Sequence, residues 1–498
     1  MTESFRLTLI KSFLWKFLEA RAVQIITLVS NIILARFLLP EAFGTVAILT
    51  AIFYLIQTFI DEGLSAALVQ KSTIDEVEAS SVFYLQLTAA AVLYAVLFFI
   101  SPEIGEFYQV EDMTLYLRIT GLFLFFYAFQ SIQYVFINRE FKFRKYFFCS
   151  LASSLIAGGL AVCMIVNGCG IWSVVLEEGV YAASLALIMW FAVKWRPKLT
   201  FSWEKVKKLY AFGWRVLLAS LAIRLSSTSL IGGKFFSTEA LGNYTTGESY
   251  PKTIARIIYE PVNTVVFPAI AKCQDAKETR IKLMHYVLIC NVFILFPLMG
   301  GIAAMAEPLV HVLLGENWTG AIFFIQLFTI VYAAAPMMYL NLQTIKGLGK
   351  GGKYLFAQML SFVLVILVFV FAVQFGIYAI AVGMVIATLI KVCTYALLIQ
   401  KQSGYSLLTQ IKDQLPVFLI TCIAGGIIYC FTFLPLDYVT MICMQIPIGL
   451  AVYLGLAWLF RLEAFTFIID AAKELLISVK EQLKEKFLKK SKANKVQQ

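Results

Sequence analysis

Charged residues are scarce in this sequence. Asp, Glu, Lys and Arg make up 14% of its 498 residues, and 60% are hydrophobic, whereas soluble domains contain about 25% charged and about 45–50% apolar residues. A soluble fold cannot hide that much apolar surface. The apolar residues form repeated blocks long enough to cross a hydrocarbon core, which takes about 20 helical residues. The sequence therefore predicts a chain that lies mostly within a membrane.

Other absences exclude further classes of protein and site. The apolar blocks lack the alternating segments of about ten residues that mark membrane β-barrels, so helices are predicted. The nine cysteines have no paired spacing, and His285 and His311 lie far apart, so we expect no metal, cofactor or catalytic residue. Despite a net charge of +11, basic residues do not gather in one domain, so no nucleic-acid partner is expected. The first residues also lack the pattern of a removable signal peptide.

Fourteen membrane-spanning helices are predicted from the apolar blocks. With both termini in the cytoplasm, cytoplasmic segments hold 32 of the 41 Lys and Arg residues, and only Arg36 and Lys234 lie opposite. This asymmetry follows the positive-inside rule for an inner-membrane protein. We therefore expect an all-α membrane protein whose spans cover approximately residues 17–36, 43–61, 79–100, 114–137, 147–167, 171–193, 209–233, 241–269, 283–305, 319–343, 354–374, 376–399, 414–433 and 437–460.

An internal repeat relates the first six predicted helices to the next six. FLLPEAFG at 37–44 recurs as FFSTEALG at 235–242, and at the same offset Glu62 falls on Glu260. Two bundles in parallel repeat are a transporter plan with a site near the bilayer midplane. The last segment is predicted to be a basic amphipathic helix on the anionic inner leaflet, or else a solvated helix. The predicted organisation is a six-helix lobe at 1–200, a second at 201–402, helices 13 and 14 at 403–460, and a cytoplasmic tail at 461–498.

Four segments carry a resemblance to a known family: ILARFLLPEAFGTVAI, DEGLSAALVQ, LIGGKFFSTEALGNY and VVFPAIAKCQD. In these segments the chain resembles the Wzx-type flippases, the polysaccharide-transporter branch of the multidrug/oligosaccharidyl-lipid/polysaccharide exporter superfamily. The resemblance implies two lobes around a central cavity and two C-terminal helices. It also implies export of a polyprenyl-pyrophosphate-linked glycan by alternating access, for lipopolysaccharide or exopolysaccharide synthesis. Where such proteins often carry Asp-Asn, this chain has Thr228 and Ser229, so Asp-dependent coupling is not expected there.

Charged residues inside the predicted spans form the candidate site. Each costs at least about 2.5 kcal/mol at the centre of a bilayer, so such residues face a cavity or a partner. Glu248, Lys252, Arg256 and Glu260 follow one another every four residues on one face of the eighth helix. We expect Lys252 and Arg256 to attract a pyrophosphate or acidic sugar, and Glu248 and Glu260 to hold them when no substrate is bound. The alternative is an ion-pair ladder without a substrate role.

Three arginines on other helices are further substrate-binding candidates. Arg224 lies near the middle of the seventh predicted helix, with Ser and Thr on its side. Arg21 shares a polar face of the first helix with Gln24 and Asn31, a face that could meet the seventh helix, and Arg118 lies on the fourth. Guanidinium groups bind phosphate oxygens bidentately, so an arginine-lined cavity suits an anionic lipid-linked substrate. Alternatively, Arg21 and Arg118 extend to the headgroups.

Glu177 and Glu178 interrupt the otherwise apolar sixth helix. A buried carboxylate there is a candidate for proton coupling, and the alternative is a pair near the outer end that bonds a basic side chain or water.

Two other functions stay open from the sequence. A multidrug or cation antiporter of the same superfamily would be expected to have an acidic cavity, against which the seven intramembrane basic residues weigh. A membrane glycan polymerase or ligase would be expected to carry a large outward loop, and all predicted outward loops are short. Expected partners of the transporter are the lipid-linked oligosaccharide, membrane lipids and other glycan-assembly proteins.

Overall fold

The computed structural model describes residues 3–61, 64–65, 68, 74–140, 142–225, 227–470 and 473, and over these residues it contains helices and no strand. Three short 3-10 turns lie at Glu316–Trp318, Val373–Phe375 and Phe431–Phe433. The helices, in chain order, are α1 Glu3–Phe37, α2 Pro40–Asp61, α3 Glu76–Tyr108, α4 Met113–Arg139, α5 Phe143–Val166, α6 Trp172–Ala192, α7 Trp203–Leu225, α8 Thr228–Phe235, α9 Thr238–Lys272, α10 Lys277–Ala304, α11 Ala306–Leu313, α12 Ala321–Ala333, α13 Ala335–Gly347, α14 Gly351–Ala372, α15 Ile377–Ser403, α16 Leu407–Cys430 and α17 Tyr438–Leu459.

The chain is an all-α, multi-pass membrane protein. Within the described ranges, thirteen helical segments are long and apolar enough to cross a membrane. Large apolar side chains such as Phe99 and Phe191 are about three-quarters exposed, which water would penalise and lipid does not. The remaining predicted span, 209–233, is not one helix: α7 stops at Leu225 and α8 starts at Thr228. The prediction of a continuous seventh helix is therefore wrong.

Side-chain caps fix several helix starts. Asp75 precedes α3 in a capping box with Glu78, and the Ser406 side chain accepts the Thr409 N–H at the start of α16. Asp437 caps α17 in the same way. These residues satisfy backbone N–H groups that have no partner inside the helix. Because the capping residues lie in the polar connections between spans, those connections mark where the apolar helices begin.

The chain forms two compact units. The first holds residues 1–257, 309–328 and 358–387, and the second holds the rest. In the first unit, α1 packs on α5, α3 on α4 and α5 on α6, and in the second α10 and α17 pack on α16. The predicted first lobe, 1–200, falls wholly inside the first unit. Glu62 and nearly all of the tail beyond Asp470 lie outside the described residues, so the Glu62–Glu260 match and the amphipathic tail helix stay predictions.

The two copies of the repeated motif have the same helix boundaries. α1 ends at Phe37 and α2 begins at Pro40, and α8 ends at Phe235 and α9 begins at Thr238. Pro40 at the first helical position suits a helix start because its missing N–H would have no partner there. The motif thus marks an equivalent sharp connection between two helices in each copy.

Candidate functional site

A cavity of about 870 Å³, the main cavity, lies inside the first unit. It is bounded by α1, α2, α4, α5, α6, α8, α9 and the end of α7. Charged groups within a lipid-embedded bundle are tolerated where they face such a cavity. Its described charged lining residues are Glu177, Glu178, Arg224, Glu248 and Lys252. Three carboxylates against two cations show that the wall is mixed, so the sequence argument for a mainly basic cavity is wrong for the described lining.

Arg224 is exposed to the main cavity where the seventh predicted helix breaks. α7 ends one residue later, and Ser227, Thr228 and Ser229 line the cavity beside it. The guanidinium carbon lies 5.3 Å from the centre of the Tyr54 ring, a cation–π contact. Among the described residues no carboxylate lies within ion-pair distance of Arg224. The wall therefore presents an open cation next to polar hydroxyls.

The break in the helix adds to this positive potential. The first backbone N–H groups of a helix have no intrahelical partner, and its N-terminus carries partial positive charge. The N-cap of α8, Ser227, makes no side-chain capping bond. Serine and threonine favour helix starts over helix interiors because their hydroxyls compete for backbone groups. The run of Ser and Thr at 226–229 is the sequence signal that could have indicated the break.

Only two of the four residues in the charged stripe on α9 line the main cavity. Lys252 Nζ lies 3.0 Å from Glu248 Oε1, and both residues line the main cavity. Arg256 and Glu260 continue the stripe along α9 but are not among the lining residues. The structure thus brings Glu248 and Lys252 into the site with Arg224 and leaves the other two outside its wall.

Glu177 and Glu178 both line the main cavity and are held by hydroxyl groups. Ser30 Oγ donates to Glu177 Oε1 at 2.8 Å. The Tyr127 hydroxyl donates to Glu178 Oε1, and Tyr54 lies within electrostatic reach of the same carboxylate. The two glutamates lie in the second turn of α6, near its start, as in the alternative reading of the sequence, but the partners found are hydroxyls.

Tyr54 connects the cationic and acidic parts of the wall. Its ring lies under Arg224, and Glu178 lies within electrostatic reach of its hydroxyl. No spacing in the sequence links a tyrosine on α2, an arginine on α7 and a glutamate on α6, so sequence reasoning missed Tyr54, Tyr127 and Ser30. Only the packing of these helices brings them together.

Arg21 and Arg118 lie apart from the cavity wall. Arg21 Nη1 donates to Gln24 Oε1 at 2.7 Å, and Gln24 Nε2 donates to the Thr253 carbonyl on α9. This polar face of α1 therefore contacts α9, although Asn31 does line the cavity. Arg118 Nε lies 3.1 Å from Ser101 Oγ on α3, and its guanidinium stacks on Phe98. In the part of the chain that the structure describes, no three His, Cys, Asp or Glu residues gather as a metal site would require.

Comparisons with known proteins agree with this architecture. The family model described as polysaccharide biosynthesis protein matches residues 33–323. The chain is 25% identical over 309 residues to the succinoglycan biosynthesis transport protein ExoT of Rhizobium meliloti (strain 1021), with 62% of this chain and 63% of that protein covered. It is 24% identical over 318 residues to the lipopolysaccharide biosynthesis protein WzxC of Escherichia coli (strain K12), covering 61% and 63%. The matched part thus spans less than two thirds of either relative.

A solved structure shows the same fold over nearly the whole length. The lipid II flippase MurJ, in an inward closed conformation, superposes with a TM-score of 0.71 at 16% identity, over 92% of this chain and 99% of that one. At that identity the likeness is one of fold. Because the family model covers more than half of the chain, this protein belongs to the polysaccharide biosynthesis protein family.

Proposed function

We propose that this protein flips a polyprenyl-pyrophosphate-linked oligosaccharide from the inner to the outer leaflet of the bacterial cytoplasmic membrane, for surface polysaccharide biosynthesis. It acts by alternating access, as a transporter and not as an enzyme. Family membership supports this proposal, as do the names of two relatives, a succinoglycan transport protein and a lipopolysaccharide biosynthesis protein. Its partners are the lipid-linked substrate, the surrounding lipids and other glycan-assembly proteins.

The observation that carries the proposal is the open guanidinium of Arg224 at the break between α7 and α8. A pyrophosphate needs fixed positive charge and several hydrogen-bond donors, and a guanidinium supplies two parallel N–H bonds. The hydroxyls of Ser227 and Ser229 and the N-terminus of α8 lie on the same wall. Broken membrane helices whose N-termini point at anionic groups are a recurrent device of transporters. Arg224 is therefore the residue that binds the pyrophosphate.

Lys252 is the second cation of the proposed site. In the structure it pairs with Glu248, and 47% of the Lys252 side chain and 24% of the Glu248 side chain are exposed. An exposed pair of this kind contributes no more than about 1 kcal/mol, so an arriving phosphate can displace Glu248. Between transport cycles, when no phosphate is bound, the Glu248 carboxylate pairs with Lys252 again and holds it extended into the cavity.

Glu177 and Glu178 are the proposed coupling residues. Tyr54 lies within electrostatic reach of both Glu178 and Arg224, so a change of charge at one position alters the electrostatic potential at the other. Protonation of Glu178 would end its charge-assisted hydrogen bond from Tyr127 and weaken its electrostatic interaction with Tyr54. Substrate charge and proton occupancy are thereby linked through one side chain.

A second candidate function, export of an organic cation in exchange for an ion, draws on the three carboxylates of the main cavity. Its weaker point is that each has a donor in place: Ser30 on Glu177, Tyr127 on Glu178 and Lys252 on Glu248. Arg224, by contrast, has no carboxylate partner among the described residues. The open charge of the site is positive, which favours an anionic ligand.

Binding to the purified full-length protein distinguishes the two functions. We expect a polyprenyl pyrophosphate to bind, and Arg224→Gln to weaken binding by roughly tenfold or more, the value of a charge-assisted hydrogen bond. The matched control is Arg144→Gln, since Arg144 lies on Trp15 and outside the cavity. Binding of ethidium that is insensitive to Arg224→Gln, with no binding of the pyrophosphate, would establish the cation exporter instead.

A further inference from the structure

A second cavity, of about 520 Å³, lies in the first unit beside α4. Eight of its ten described lining residues carry a hydrogen-bonding group, among them Asp61, Ser65, Gln130, Ser131, Tyr134 and Asn138. A cavity of this size has room for on the order of ten water molecules, each of which needs two to four polar partners. These side chains supply such partners along a surface that is otherwise apolar.

The second cavity lies at one end of the helix bundle. Asp61 is the last residue of α2, and Asn138 is the last residue but one of α4. Tyr146 lies in the first turn of α5, and Met189 lies near the end of α6. The end of α4, the start of α5 and the connection between them carry Arg139, Lys142, Arg144 and Lys145. By the positive-inside rule this end faces the cytoplasm.

Tyr127 separates the two cavities. It is the one residue among the described lining residues that the main cavity and the second cavity share. Its hydroxyl donates to Glu178, which lines the main cavity and not the second cavity. A path of hydrogen-bonding groups therefore leads from the cytoplasmic end, through the second cavity and Tyr127, to Glu178.

Charged and titratable groups flank this path. Lys16 Nζ lies 4.8 Å from the centre of the Tyr146 ring and 2.7 Å from Glu19 Oε2. Asp61 accepts a hydrogen bond from Gln57 at 2.7 Å. Tyr181 lies within electrostatic reach of both Glu19 and Glu178. Asp61 is the only carboxylate among the described lining residues of the second cavity. Hard cations therefore find few of the several oxygen ligands that they require. Water and protons need only a chain of hydrogen-bond donors and acceptors.

We propose that the second cavity is the cytoplasmic route of a coupling proton, and that Tyr127 passes this proton between the cavity water and Glu178. The inference rests on the proposed function, in which Glu178 is a coupling residue. When Glu178 takes up a proton, the Tyr127 O–H bond breaks and a Glu178 O–H bond forms, while the phenol oxygen takes a proton from a hydronium ion in the second cavity. One proton moves, the tyrosine is regenerated, and release follows the same steps in reverse.

The test compares Tyr127→Phe with Tyr94→Phe in inside-out membrane vesicles from a strain that lacks the gene and carries each variant. The lipid-linked substrate is added to these vesicles, whose outer face is the cytoplasmic face. Tyr94 packs on Phe98 and Phe125 away from both cavities, so its variant is the matched control. We expect Tyr127→Phe to lower substrate-dependent proton movement, followed with a pH-sensitive dye, by roughly tenfold or more, since a positioned proton donor contributes at least that much. Binding of a polyprenyl pyrophosphate should stay within about twofold of the unchanged protein, because Arg224 is retained.

Water access is tested in the same vesicles with Asn138→Cys, in a background whose native cysteines are replaced. A charged, membrane-impermeant thiol reagent added outside should label this cysteine. Normal proton movement in Tyr127→Phe, or no labelling of folded Asn138→Cys, would overturn the inference. Failure of the proposed function gives a different result. The unchanged protein then moves no protons when substrate is added, and the Glu178→Gln variant gives the same result as the unchanged protein.

Discussion

Gly44 and Gly242 occupy equivalent positions in the two copies of the repeat, and each packs against the start of the other's helix. A Cβ atom built on Gly44 would lie 1.8 Å from the Thr238 carbonyl oxygen, and one on Gly242 would lie 1.9 Å from the Pro40 carbonyl oxygen. Both obstructing atoms are backbone atoms, which cannot move aside as a flexible side chain can. The reciprocal contact is thus the physical reason for a glycine at the end of FLLPEAFG and FFSTEALG.

Replacement of either glycine should break this contact. We expect Gly44→Ala to lower the free energy of unfolding by about 1–3 kcal/mol, the usual cost of overpacking, and to reduce export. Thermal unfolding of the purified protein and surface polysaccharide in cells measure the two effects. Gly159→Ala is the matched control, because no atom lies within 4 Å of its added Cβ.

Gly242→Ala should lower the free energy of unfolding as Gly44→Ala does. The double variant should lower it by less than the sum of the two single variants, because both residues belong to one contact. If Gly44→Ala unfolds at the same temperature as Gly159→Ala, the close approach of α2 and α9 is not part of the native state.

The fold was largely readable from the sequence, because a lipid-embedded chain must place its apolar residues in helical blocks of a fixed length. The repeated motif also predicted an equivalent connection in each copy, and α1–α2 and α8–α9 follow it. The break before Thr228 was not predicted, since the apolar block runs on through Leu230 and Ile231 and hides it.

The candidate site was readable only in part. Charge within a span indicated Arg224, Lys252, Glu177, Glu178 and Glu248, because burying a charge in lipid is costly wherever it occurs. The same rule could not separate cavity-facing groups from Arg118, which bonds α3. Tyrosine is common in membrane bundles, so only packing distinguishes Tyr127, which donates to Glu178. The compositional rule therefore finds charged side chains and misses their neutral partners.

Loss of the carboxylate at Glu178 should uncouple transport. Glu178→Gln keeps the shape of the side chain and an acceptor for the Tyr127 hydroxyl, but it cannot exchange a proton. We expect export to fall and its remainder to become insensitive to an uncoupler that collapses the proton gradient. Glu103→Gln, an exposed position on α3, is the control. Unchanged export with unchanged uncoupler sensitivity would exclude Glu178 from coupling.

The pair of Glu248 and Lys252 gives opposite expectations for its two members. Lys252→Gln removes a cation from the proposed phosphate site, so affinity for a polyprenyl pyrophosphate should fall. Glu248→Gln frees Lys252, so affinity should rise. Neither change should alter the free energy of unfolding by more than about 1 kcal/mol, because the pair is partly exposed. Equal loss of stability in both variants, with no change in affinity, would indicate an ion-pair ladder without a substrate role.

The cap of α3 should make stability depend on pH in the acid range. The hydrogen bond from Lys205 and the Val77 N–H hold the pKa of Asp75 below its usual range. A carboxyl group whose pKa is lowered by folding stabilises the folded state above its unfolded pKa, about 3.9, and this contribution is lost as the pH falls through the lowered value.

Asp75→Asn retains a good N-cap but loses the ion pair with Lys205. The variant should unfold at a lower temperature than the unchanged protein at pH 7, and the difference should shrink as the pH falls below about 3.9. Thermal unfolding across this range is the measurement. If the two proteins differ in unfolding temperature by the same amount at pH 7 and at the acid end, the Asp75–Lys205 ion pair is not the source of the pH dependence.

The leaflet location of the polyprenyl-linked oligosaccharide tests the central claim most directly. It is measured in a strain that lacks the gene, with the unchanged gene or the Arg224→Gln variant restored, by a glycan-modifying reagent that cannot cross the membrane. We predict that the lipid-linked glycan accumulates on the cytoplasmic face without the gene, that the unchanged gene relieves the accumulation, and that Arg224→Gln does not. An unchanged distribution in the deletion strain, with altered efflux of a cationic dye, would contradict the flippase assignment.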